Sequence, residues 1–299
     1  MALLCCALIP LTLAAGPRPR SFDGVQVVPL AGAQIAFEVG GEERARYHFG
    51  TDLLKPFVFP LIGPAGRRLT RLGHPHDPEG HSHHRSLWIG HRDVNGVNFW
   101  EDRDGRIVHQ RVVSFEDGAD AASLCVELAW RDGQGKTLLN ERRTMALRAL
   151  EDGESYFDIT LKLSAADGPV TFGKAPFGFL GVRVAKSMGV NDGGGRVLNS
   201  EGGQNESGTH WKRARWVDTA GPVSKTAVNG LALFDHPDNP NHVTVFHVRD
   251  DGWMGASFSY DAPVTLTADK ALELRYRLYA HGDVQASVIE EHWQQFALE

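Results

Sequence analysis

The chain has 299 residues, of which 42% are hydrophobic, enough to pack one large domain or two smaller ones. A formal net charge of −6 lacks the basic excess that non-specific nucleic-acid binding needs, so no nucleic-acid partner is expected. The body holds no apolar run of about 18 or more residues, so no integral membrane span is expected in the mature chain.

The first segment, "MALLCCALIPLTLAAGPRPRS", carries an apolar run from Ala2 to Ala15 followed by small residues. This pattern predicts a signal peptide over residues 1–20, cleaved near Ala14, Ala15 or Gly16, although no Lys or Arg precedes the run. The mature protein is then expected in the periplasm or outside the cell. Cys5 and Cys6 fall within that leader, so Cys125 remains alone and no intramolecular disulfide can form. Its setting, "SLCVELAW", alternates like a strand and predicts a small buried hydrophobe.

"HPHDPEGHSHHRSLWIGH", from His74 to His91, concentrates six of the fourteen histidines. Pro75, Pro78 and Gly80 predict a rigid loop, and "LWIGH" predicts entry into a sheet, which together make a good platform for a site. Strand alternation would set His81 and His83 on one face and His84 on the other. Three chemistries fit. His-x-His can bind a metal with a nearby Asp or His. His83 or His84 can act as acid or base, with Arg85 clamping a carboxylate or an oxyanion. The rings can also be purely structural, bonded to backbone carbonyls. Asn95-Gly96 then predicts a tight turn, with Asn95 a candidate binding residue.

Period-two alternation dominates the rest. In "SYFDITLKLSA", Phe157, Ile159, Leu161 and Leu163 face one way, and in "ALELRYRLYAH" so do Leu272, Leu274, Tyr276 and Leu278. "RTMALRAL", "VTVFHVRD" and "GASFSY" are similar, separated by turns such as "RDGQGK" and "NDGGGR". "SVIEEHWQQFAL" alone has helical spacing, with Val288, Ile289, Trp293 and Phe296 on one side. The prediction is an all-β protein: residues 21–299 form a single large antiparallel β-sandwich with a short C-terminal helix.

Further polar clusters lie where strands end. "LNSEGGQNESGTHWKRARWVD" offers Glu201 as a carboxylate, and Trp211 and Lys212 as a ring and a cation suited to a sugar. Trp216 alternates as a core residue would. "LFDHPDNPNH" adds His236, Asp235 and Asn239 on a proline-fixed loop, and "FHVRDDGW" sets His247 and Arg249 on one strand face.

The segments "HSHHRSLWIGHRDVNGVNFWED", "RVLNSEGGQNE", "WKRARWVD" and "GLALFDHPDNPNH" resemble the family labelled "PmoA family protein" or "methane oxygenase PmoA", over about residues 45 to 295. The usual form of that family reads "DHPHHRG"; here the stretch is "HDPEGHSHHRS", with Ser86 in place of the glycine. The PmoA subunit of particulate methane monooxygenase is an integral membrane protein, so the label does not carry its chemistry to this chain. The resemblance implies instead a carbohydrate-linked role, and the strand pattern is similar to the galactose-mutarotase-type supersandwich.

The sequence therefore predicts a secreted enzyme that acts on a small carbohydrate by acid–base chemistry, as an epimerase, mutarotase or lyase. His83, His84, Arg85, Glu201 and His236 are the expected catalytic groups. His81, Asn95, Trp211, Lys212, Asp235, Asn239, His247 and Arg249 are the expected binding groups, and neither cofactor nor metal is required. A His-ligated metalloprotein or oxygenase using His81 and His83, and a non-catalytic sugar-binding module, are the alternatives.

Overall fold

The computed structural model describes residues 22–299; the predicted signal peptide lies outside them. Two large antiparallel sheets form a sandwich. The first has nine strands in the order Val25–Leu30, Gln34–Val39, Glu42–His48, Phe57–Leu61, Leu87–Gly90, Phe179–Arg183, Trp253–Ser257, Val245–Arg249 and Lys212–Arg213. The second has eight, in the order Arg196–Asn199, Trp216–Pro222, Val228–Asp235, Leu272–His281, Ser155–Ala165, Thr137–Ala149, Ala121–Arg131 and Arg106–Glu116. Val170–Phe172 pairs with Val264–Leu266 in a small third sheet. No helix among the described residues is long and apolar enough to cross a membrane.

Alternation places the core between the sheets. Phe157, Ile159, Leu161 and Leu163 face Leu274, Tyr276 and Leu278 across the register Phe157↔Leu278 to Leu163↔Leu272, and all are buried. Full burial of each such side chain is worth about 1.5–3 kcal/mol. Cys125 departs from expectation. Its neighbours Leu124 and Val126 take the inward positions, so Cys125 points outward and is only half-buried. The second sheet is buried on both faces where Tyr156, Trp216, Phe234 and Tyr279 meet the C-terminal helix Ala286–Phe296. Ile289 and Phe296 are the buried anchors of that helix, Trp293 packs partly beside them, and Val288 is half-buried.

The first sheet also has a second packed face. Leu87 and Ile89 enter the main core, while Trp88 between them points the other way and joins Phe57, Trp100 and Trp253. Two glycines make room for these rings. A Cβ on Gly181 would lie 2.6 Å from Trp253, and one on Gly255 would lie 2.8 Å from the same indole. Register puts Trp88 opposite Gly181, Gly181 opposite Gly255, and Gly255 opposite His247. One cross-strand row thus carries a tryptophan, two bare backbone positions and a histidine on the outer face.

Candidate active site

On this outer face the histidine loop folds over the tryptophans. Residues 78–83 form turns and the strand begins only at Leu87, so the expected strand alternation of His81, His83 and His84 does not occur. The three rings cluster instead: His83 lies 4.3 Å and His81 4.8 Å from His84, centroid to centroid. The chain turns into the strand at Ser86, whose φ of 62° is a left-handed conformation. Glycine adopts it without steric cost, which accounts for the glycine of the resembling pattern. Here Ser86 donates its hydroxyl to Thr70 Oγ1 at 2.7 Å, and its carbonyl accepts from the Arg183 backbone N–H at 2.7 Å. Farther on, Asn95 and Gly96 form the tight turn, with φ of 51° and 84°.

The result is a cavity of about 610 Å³, walled by the 79–84 loop, by residues 100–103, and by Phe177, Arg183, His247, Arg249, Asp251 and Trp253. His84 forms its inner wall. The ring is buried, stacked 5.1 Å from Trp253 and 4.9 Å from Trp88. Arg183, itself buried, donates its Nε–H to His84 Nδ1 at 3.0 Å. A guanidinium has no lone pair to offer, so Nδ1 is the acceptor and the neutral ring carries its proton on Nε2. Burial and the Arg183 charge both push the His84 pKa far down, and the ring is neutral throughout the physiological range.

His247 is arranged the same way. The Trp253 indole N–H donates to His247 Nδ1, and burial, followed by His210 and Arg249, lowers its pKa to about 3. His83 differs from both. Burial, followed by the charge of Lys55, lowers it to about 4, and neither ring nitrogen bonds to protein among the described residues. A neutral, unpartnered imidazole in a cavity wall is free to accept a proton.

A chain of bonds fixes this arrangement from behind. Asp251 accepts from Arg183 Nη1 at 2.6 Å and from His74 Nε2 at 2.8 Å. His74 Nδ1 in turn accepts the backbone N–H groups of His76 and Asp77, both at 3.1 Å. Burial opposes the Asp251 charge, but Arg183 and His74 outweigh it and hold the carboxyl below its ordinary value. Elsewhere in the cavity lining, Asp102 binds buried Lys55 at 2.6 Å and Arg85 at 2.9 Å.

Of the predicted residues, His81, His83, His84, His247 and Arg249 share the cavity. Arg85 turns away from His84 to Asp102. Trp211 stands beside the cavity, 48% exposed, its ring 4.3 Å from His210 and 6.1 Å from His247. The others lie elsewhere. Glu201 sits on a surface turn with Ser200 and Arg215, and Lys212 is exposed on the edge strand. Asn95 bonds Thr171 and Pro169. Asp235, His236 and Asn239 form a closed network with His242 and Arg275 beside the C-terminal helix.

Lys55, Trp88, Trp100, Asp102, Arg183, Asp251 and Trp253 were not singled out from sequence. Arg183 follows the run "GFLGV" as one more strand residue, and Asp251 and Trp253 sit in "RDDGW", which has the composition of a plain turn. The pairing of Trp88 with Gly181 and of Gly181 with Gly255 is the signal that joins them, and it exists only in the folded register. Among the described residues no group of three or more His, Cys, Asp or Glu is placed to hold a metal ion.

The chain belongs to a family of unknown function, DUF6807, whose model matches residues 34–294. Among curated proteins no match is found. Two solved structures share a distant likeness: a putative kojibiose phosphorylase from human microbiome, at 11% identity and a TM-score of 0.33, and a 4-alpha-glucanotransferase from Thermococcus litoralis, at 12% identity and a TM-score of 0.34. They cover 85% and 87% of this chain, which spans only 31% and 39% of theirs.

Proposed function

We propose that this DUF6807 member is a carbohydrate-active enzyme of isomerase or lyase type, working by histidine proton transfer on a sugar or oxidised glycoside. The observation that carries the reading is His83, a neutral and unpartnered imidazole in the wall of a tryptophan-backed cavity of about 610 Å³. In this scheme His83 takes or returns the proton. His84 and His247 donate Nε2–H bonds to substrate oxygens, and Trp100 and Trp253 give the cavity its apolar backing. Glu101, which also lines the cavity and whose ion-pair partner is the exposed Arg103 at 3.1 Å, is the carboxylate assigned the partner role to His83 in this scheme. The proposal sets this chemistry in the periplasm or the exterior, for which the apolar N-terminal run is the support, and N-terminal sequencing of exported protein should find a start near residues 15 to 21.

The test is a panel of free sugars and oxidised glycosides incubated in D2O and followed by NMR, which reads anomeric exchange, C–H exchange and elimination together. Turnover that disappears in His83→Ala supports the proposal; turnover unchanged in that variant overturns it. Half-exposed Trp211 favours one second reading, a sugar-binding module without chemistry, for which calorimetry would record binding to the same panel without any conversion.

A further inference from the structure

His84 and His83 are neighbours in sequence, yet their surroundings give them opposite chemistry. His84 Nδ1 is occupied by the Arg183 Nε–H at 3.0 Å, and Arg183 is 2% exposed. Arg183 cannot swing away cheaply. Its Nη1 is held by Asp251 Oδ1 at 2.6 Å, and its guanidinium lies 5.6 Å from the Trp253 ring. Asp251 is held in turn by His74, whose tautomer is set by two backbone N–H donors. Each link therefore has a fixed polarity: backbone amides donate to His74, His74 donates to Asp251, and Arg183 donates both to Asp251 and to His84.

We infer that Arg183 is a positioning residue that locks His84 as an Nε2–H donor, so that His84 holds an acceptor oxygen of the ligand and takes no part in proton transfer. The ligand atom lodged against Nε2 is then a carbonyl or ring oxygen, or an oxygen gaining negative charge during reaction, because a group that must donate finds no lone pair there. A neutral donor suits such an oxygen, since it stabilises developing charge without surrendering its proton. His83, a residue away but with no guanidinium on its ring, keeps the proton-transfer role. The assignment of a role toward substrate rests on the function proposed above; the tautomer itself does not.

Long-range 1H–15N spectra of the imidazoles in the full mature chain test the lock directly. His84 should show the Nε2–H pattern, unchanged from pH 5 to 8. In Arg183→Met, Nδ1 loses its donor, and His84 should show a mixture of tautomers. Because Arg183→Met leaves Asp251 without its cation, the double variant Arg183→Met/Asp251→Asn, which removes both charges, is measured beside it. Nδ1–H on wild-type His84, titration of wild-type His84 between pH 5 and 8, or an unaltered His84 pattern in both folded variants would overturn the inference. The expected tautomer without turnover on any sugar upholds the lock while overturning the carbohydrate reading.

Discussion

In the loop from Asp235 to His242, the buried carboxylate of Asp235 accepts from Asn239 at 2.7 Å and from His242 at 2.8 Å, and its carbonyl takes the Trp293 indole at 3.0 Å. His236 receives Arg275 at 2.9 Å and packs 4.9 Å from Phe296. In the loop from His74 to His84, the same residue types are satisfied on one side only. Asp251 and Arg183 are bonded to each other, to His74 and to His84, while His83 and the Nε2 atoms of His84 and His247 meet protein partners nowhere among the described residues. Both loops are proline-fixed, histidine-rich and bounded by strands. What separates them is unspent hydrogen-bonding capacity at the surface of a cavity. A covering helix consumes it in one loop and nothing consumes it in the other.

The sharpest way to break the comparison is to remove one histidine from each. His83→Ala should lower turnover by about 10²–10⁴-fold with the fold intact, while His236→Ala should leave turnover unchanged and lower the melting temperature; the reverse pattern in paired kinetic and thermal assays would exchange the roles of the two loops. Asp235→Ala should cost about 2–3 kcal/mol in urea unfolding, because His242 and Asn239 lose their buried acceptor, and should again spare turnover.

Proton linkage should separate the regions as well. With His83 near 4 in the folded enzyme, the acid limb of kcat/KM should fall near pH 4 rather than near the usual 6.5, with a flat profile from about pH 5 to 8. The same depression means the unfolded chain binds more protons between those values. The contribution of His83, and of His247 with its value near 3, is therefore present above about 6.5 and is lost as the pH falls. His281, fully buried at the end of a strand of the second sheet, has the opposite sign. Burial opposes its charge, but Asp218 at 3.0 Å and the Gly282 carbonyl at 2.7 Å hold it raised, so its contribution is full below about 6.5 and is lost as the pH rises through its folded value. Stability measured with His281→Gln should lose the alkaline component and keep the acidic one.

Smaller effects refine the cavity side. Trp211→Ala should raise KM by roughly 5-fold, the equivalent of about 1 kcal/mol of ring contact, and leave kcat alone. Ser86→Gly should change stability by no more than about 1 kcal/mol, since relief of the left-handed backbone is offset by loss of the Thr70 hydrogen bond.

Alternation alone identified Phe157, Ile159, Leu161 and Leu163 as an inner face, helical spacing identified Ile289 and Phe296 as anchors, and two positive-φ residue types marked the turn at Asn95-Gly96. Those signals are local. Each depends on a repeat of two or 3.6 residues, or on a turn of four, so a short window of sequence contains the whole cause. The density of histidines from 74 to 84 likewise pointed to one wall of the cavity. The opposite fate of His83 and His84 could not be read there, because it depends on a guanidinium 99 residues away from His84 in sequence. Nor could the seat of the tryptophans, which needs Gly181 and Gly255 on two further strands brought into register beside Trp88. Residue types and their periods determined two sheets and a helix. Strand pairing decided which polar atoms face a partner and which face the cavity, because a hydrogen bond is a relation between positions that only folding brings within about 3 Å.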